Sequence, residues 1–123
     1  MIGHRSWIIP DGFLQPKSTG SQVSHEAVCV LNVTDQDASI KLTFYFEKQE
    51  PLQPFRSFCG AQRTHHIRLD LLTDQEGQQV PRGVPYAIKV DSDVPVIVQH
   101  SRLDTSQEAL ALFTTMAYPV EAK

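Results

Sequence analysis

The chain has 123 residues, of which 41% are hydrophobic and 20% charged, and its 11 basic against 14 acidic residues give a formal net charge of −3. That length supports one ordinary core, and that composition excludes a disordered tail. The acidic balance opposes constitutive nucleic-acid binding, which needs a basic excess on one face.

Trp7-Ile8-Ile9 reads as a short strand with Trp7 in the core, closed by a turn at Pro10-Asp11-Gly12. A polar loop follows from Leu14 to Gln22. Glu26–Val33 is apolar on both faces, which predicts a central strand covered on each side. Turn residues Thr34-Asp35-Gln36-Asp37 separate it from Ser39–Glu47, where Ile40, Leu42, Phe44 and Phe46 alternate with polar neighbours. Period-two alternation of that length marks a strand with one buried face. Glu47–Pro51 and Gly60-Ala61 read as turns, Thr64–Leu69 as a strand and Leu72–Pro85 as a second long loop. Tyr86–Asp91 and Val94–Leu103 read as two strands divided by a turn at Asp91-Ser92-Asp93.

Thr105-Ser106-Gln107-Glu108 fits a helix capping box, yet Leu110, Leu112, Met116 and Tyr118 alternate as a strand does. The expectation is a turn with at most one helical turn, then a final strand over Leu110–Tyr118. Residues 1–123 are therefore expected to form one all-β domain, an antiparallel sandwich or barrel of about eight strands. No apolar run approaches the ~20 residues of a membrane span, and Met1–Trp7 is no secretory signal. A soluble, cytoplasmic protein is expected. Cys29 and Cys59 lack the spacing of a zinc site and are read as unpaired, Cys29 as a buried small hydrophobe.

Polar groups inside the strands carry the functional signal. They fall in Ser24-His25-Glu26, in Arg63-Thr64-His65-His66-Ile67-Arg68, and in Gln99-His100-Ser101-Arg102-Leu103-Asp104. Residues two apart share a strand face, so His66 projects with Arg68, and His100 projects with Arg102 and Asp104. Together His25, Glu26, Arg63, His66, Arg68, His100, Arg102 and Asp104 form the candidate binding set. Arg forks beside imidazoles and carboxylates suit an anionic or hydroxyl-rich ligand. The same groups can instead serve a subunit contact, or simply pair with each other, Arg102 with Asp104 and Arg68 with Glu26. No metal site is assigned, because no His-x-His or His-x-x-x-His pair anchors one. No catalytic residue is assigned either: Ser24, Ser101 and Ser106 lack a nucleophile elbow or an oxyanion loop. The reading is a binding protein without a cofactor, not an enzyme.

These same stretches, with Glu50-Pro51 to Arg56, Val94–Asp104, Trp7 and Ala117-Tyr118, resemble the sensory rhodopsin transducer family over nearly the whole chain. The resemblance implies a small β-sandwich that assembles as a homotetramer. It implies a cytoplasmic adaptor for a seven-helix membrane photoreceptor. A sugar or sugar-acid ligand is the alternative, and DNA, met by a patch including Arg63 and Arg68, comes third.

Overall fold

The computed structural model describes residues 1–121. Eight antiparallel strands follow in chain order: β1 (His4–Phe13), β2 (His25–Asn32), β3 (Ala38–Phe46), β4 (Leu52–Cys59), β5 (Arg63–Arg68), β6 (Pro85–Asp104), β7 (Ala111–Met116) and β8 (Tyr118–Val120). No helix occurs among the described residues. The fold is the all-β sandwich expected.

β6, at 20 residues, organises the molecule. Its first half lies between β3 and β1 in the sheet β4-β3-β6-β1-β8, and its second half between β2 and β7, with β5 outside β2. Tyr86, Ile88, Val90, Ser92, Val94, Val96, Val98 and His100 are all buried. One inward face therefore runs unbroken through both halves. This corrects the expected turn at Asp91-Ser92-Asp93. Asp91 and Asp93 point outward and serve neighbouring strands, accepting from the Ser6 hydroxyl at 2.8 Å and the Ser39 amide at 2.8 Å.

β1 likewise runs through Pro10-Asp11-Gly12, which sits at a bulge rather than a turn. Ile9 faces Ile88 and Gly12 faces Tyr86, so one extra residue is taken up on β1. Glycine is required there, because a Cβ on residue 12 would overlap the Tyr86 ring. β4 has no counterpart among the expected strands. Its Pro54 and Arg56 obscure the pattern, while Phe55 and Cys59 are fully buried. At the other end, the capping-box segment forms bends, and the expected final strand divides into β7 and β8 around the buried Ala117.

The core draws on both sheets: Ile40, Leu42, Phe44 and Phe55 from one, Val28, Val30 and Ile67 from the other. Phe44 lies edge-on to Phe55 and Tyr86, at 5.1 and 5.3 Å between centroids. Each such fully buried side chain contributes about 1.5–3 kcal/mol. Trp7 is buried as expected, and its indole N–H donates to the carbonyls of His4 and Val96. β2 meets the expectation only in part: Glu26, Val28, Val30 and Asn32 are buried on its inward face and Ala27 on its outward face, whereas further along that outward face Cys29 is half-buried and Leu31 exposed. Cys59, not Cys29, is the buried thiol, and burial raises its pKa.

Candidate functional site

Glu26 shares the inward parity of Val28 and Val30, so the strand carries a carboxylate into the interior with no exposed surface. Register then supplies its partners. Arg102 lies directly opposite Glu26 on β6, and His100 opposite Val28. Oε1 of Glu26 accepts from the Tyr86 hydroxyl at 2.6 Å and from Nε2 of His100 at 2.9 Å. Oε2 accepts from the Phe13 backbone N–H at 2.9 Å and from Nε of Arg102. One carboxylate thus joins the end of β1, the start of β2 and both halves of β6.

Burial opposes charge on Glu26. Hydrogen bonds from His100, Tyr86 and the Phe13 amide outweigh it and hold the carboxyl below its ordinary value. An ionised carboxylate only accepts, so Nε2 of His100 and the Tyr86 oxygen carry the hydrogens. Burial first, and the Glu26 charge second, drive the Tyr86 phenol far above its usual range and keep it neutral.

β7 roofs this hub. Phe113 faces Arg102 in the β6–β7 register, and its ring lies 5.2 Å from the guanidinium carbon. The same ring meets His100 edge-on at 6.4 Å. Arg102 gives Nε to Glu26, while its Nη2 is buried without a hydrogen-bond partner. A cation over an aromatic face offsets part of that cost, about 0.5–2 kcal/mol.

Three of the eight candidate residues, Glu26, His100 and Arg102, therefore converge. His25, His66 and Arg68 lie on the opposite face of the same sheet. Nδ1 of His25 contacts the Val23 carbonyl at 2.8 Å, and Arg68 forms a two-pronged pair with Asp70 at 2.8 and 2.7 Å. Burial disfavours the Asp70 charge, and Arg68 overcomes this and lowers its pKa. Arg63 sits at the far end of β5, its guanidinium on the Gln62 carbonyl at 3.0 Å. Asp104 accepts from the Ser106 amide at 2.8 Å. The ion pairs expected from sequence are thus exchanged: Glu26 takes Arg102 instead of Arg68, and Asp104 is left to the following turn. Ser24 is spent structurally, donating to the Lys17 carbonyl and accepting from the Thr105 amide.

The sensory rhodopsin transducer resemblance now has independent support, because the family model described as Anabaena sensory rhodopsin transducer matches residues 2–119. The chain belongs to the Anabaena sensory rhodopsin transducer family. Among solved structures, the crystal structure of Thermotoga maritima 1070 is 36% identical, with a TM-score of 0.88 and full coverage of both chains. The Anabaena sensory rhodopsin transducer is also 36% identical, with a TM-score of 0.72, over 80% of this chain and 97% of that one. No curated protein sequence matches the chain.

Within this family member, the sequence reading missed Tyr86, Phe113 and Arg82. Arg82, inside the second long loop, donates to the carbonyls of Gln15 at 2.8 Å and Ser24 at 3.0 Å, pinning one loop to the other. Tyr86 was legible as an inward residue by its parity with Ile88 and Val90. Its partner 60 residues earlier was not.

Proposed function

We propose that the chain is a soluble, cytoplasmic signal transducer that works by binding, taking up the state of a membrane-embedded sensory rhodopsin and passing it on as an assembly of identical subunits. The observation that supports this reading is the 36% identity to the Anabaena sensory rhodopsin transducer across 97% of that protein. The Glu26 hub offers a physical means. In a dry interior, hydrogen-bonded charges polarise and constrain one another, so displacement of Phe113 or Phe13 by a partner is felt at the other strands. No helix is long and apolar enough to cross a membrane among the described residues, so the receptor would be met at the protein surface.

The test is binding to a seven-helix retinal protein held in nanodiscs, followed in the dark and under illumination. Saturable binding that changes with light is expected. No binding up to high micromolar concentration of either partner defeats the reading.

A second reading, a small-ligand module, rests on a surface recess of about 380 Å³ lined by Pro10, Asp11, Tyr45, Phe46, Glu47 and Tyr86. Aromatic rings beside carboxylates suit a neutral, hydroxyl-rich ligand such as a sugar, and the volume is that of small-molecule sites. A melting screen against neutral sugars tests it. A ligand at a hundredfold excess over its dissociation constant adds about 2.7 kcal/mol, and Asp11→Asn should abolish the gain.

A further inference from the structure

Among the described residues, one buried side-chain nitrogen has no hydrogen-bond partner, Nη2 of Arg102. Arg68 shows what the same group can do, for its Nε and Nη2 grip the two oxygens of Asp70 at 2.8 and 2.7 Å. Arg102 meets Glu26 through Nε alone. A count of donors explains the difference. An ionised carboxylate has about four acceptor positions, two on each oxygen. On Glu26 those of Oε1 are taken by Tyr86 and His100, and those of Oε2 by the Phe13 amide and Nε of Arg102. Nη2 is a fifth donor, and no position is left for it.

The donors are not equally fixed. Phe13 donates from the backbone of β1, and His100 is 1% exposed beneath the edge of Phe113. Of the residues that bond Glu26, Tyr86 alone also walls the recess of about 380 Å³ that holds Asp11 and Glu47. The phenol is therefore the donor that a molecule in the recess can reach.

We propose that Glu26 is a two-position switch worked through Tyr86. In the resting position the phenol holds Oε1. A ligand in the recess that offers a hydrogen-bond acceptor draws the Tyr86 hydroxyl to itself, and Nη2 of Arg102 takes the freed place on Oε1. Arg102 then grips Glu26 with two prongs, as Arg68 grips Asp70. One hydrogen bond is exchanged for another and no charge loses its partner, so the two positions lie close in free energy. The exchange turns the guanidinium beneath the Phe113 ring, which lies 5.2 Å from its carbon. Occupancy of the recess is thereby carried to β7, whose six residues are all exposed. Beside Asp11 and Glu47 the acceptor is a neutral oxygen, a hydroxyl or a carbonyl, because an anion would be repelled. This deepens the small-ligand reading by naming the group its ligand must engage. The exchange itself rests on the Glu26 geometry and can be tested without a ligand.

Tyr86→Phe makes the exchange by removing the phenol and keeping the ring. In a crystal structure of this variant, Nη2 of Arg102 should stand within hydrogen-bond distance of Oε1. In solution, rotation of the guanidinium about its Nε–Cζ bond, read from nitrogen-15 line shapes, should slow about tenfold, as one added hydrogen bond to a charged group requires. Arg102→Lys has a single nitrogen and cannot make the exchange, so Tyr86→Phe should lower the melting temperature more in that background than alone. A water in place of the phenol with Nη2 still unpartnered, an unchanged line shape, or equal falls in melting temperature overturns the proposal. Should Tyr86→Phe fail to fold, His100→Leu frees the same oxygen and is judged by the same structure and line shape. Any neutral sugar that raises the wild-type melting temperature should slow the guanidinium likewise, and one that occupies the recess without doing so overturns the link. Failure of every sugar in that screen leaves the Tyr86→Phe result standing, so the two readings fail separately.

Discussion

Replacing Glu26 by glutamine keeps the side chain's volume and removes its charge. The carboxylate accepts from four donors, Tyr86, His100, Phe13 and Arg102. An amide keeps one oxygen for the Phe13 N–H and Arg102, and its N–H₂ then faces Tyr86 and His100, which must turn the hydroxyl and switch tautomer to accept from it. Arg102 is left without its counter-charge, with Nη2 already unpartnered. Breaking a buried ion pair by removing one member costs about 3–5 kcal/mol. A domain of this size is stable by on the order of 10 kcal/mol, so a third to a half of its stability is lost. Urea unfolding followed by circular dichroism should show the midpoint falling by about 2 M for a slope near 2 kcal/mol/M, and the melting temperature falling by roughly 10–20 °C. Lys89→Ala is the control, because Lys89 and Asp91 form an exposed pair at 3.8 Å worth less than about 1 kcal/mol. A Glu26→Gln loss no larger than that of the control would refute the claim that this carboxylate is a dry, fully engaged charge.

Replacing the pair together, as Glu26→Leu with Arg102→Met, should recover much of the Glu26→Gln loss, because buried ion pairs compete poorly with apolar packing; additive losses in the same urea assay would contradict this. Acid should destabilise the fold. Glu26 and Asp70 titrate lower in the folded state than their ordinary values of 4.5 and 3.8, so their stabilisation is complete above about pH 5 and is lost as pH falls through the folded values. Urea midpoints that stay level from pH 5 to pH 3 would count against it. Phe113→Ala should cost about 0.5–2 kcal/mol by uncovering Arg102, read as a lower melting temperature. Gly12→Ala should cost about 1–3 kcal/mol by pushing the Tyr86 ring from its place, with a matching change in near-ultraviolet circular dichroism.

Much of the fold was legible because alternation survives wherever one face is buried and the other solvated. Ile40, Leu42 and Phe44 announced β3 in this way. The same signal ran from Tyr86 to Val98, and the acidic residues at 91 and 93 masked it. Aspartates are read as turn formers, yet here they sit on the outward parity and bond neighbouring strands. Pro10-Asp11-Gly12 misled for a related reason, since the residues that favour turns also tolerate bulges. Within the candidate site, the shared face of His100 and Arg102 followed from spacing alone. That Glu26 would meet them, and that His66 and Arg68 would lie across the sheet, depended on strand pairing. Pairing is set by contacts far apart in the chain, and no local pattern records it. Phe113 carried a weaker signal: a long uncharged run near the end of the chain marks an edge in need of cover only once the strand order is known.

One strand belongs to both halves of this sandwich, and its consequence is mechanical. Four other strands lean on β6, so neither half can melt while the other stays intact. Amides in the middle of β6 should therefore exchange with deuterium only when the entire molecule opens, and those flanking Tyr86 should share one opening free energy with those flanking His100.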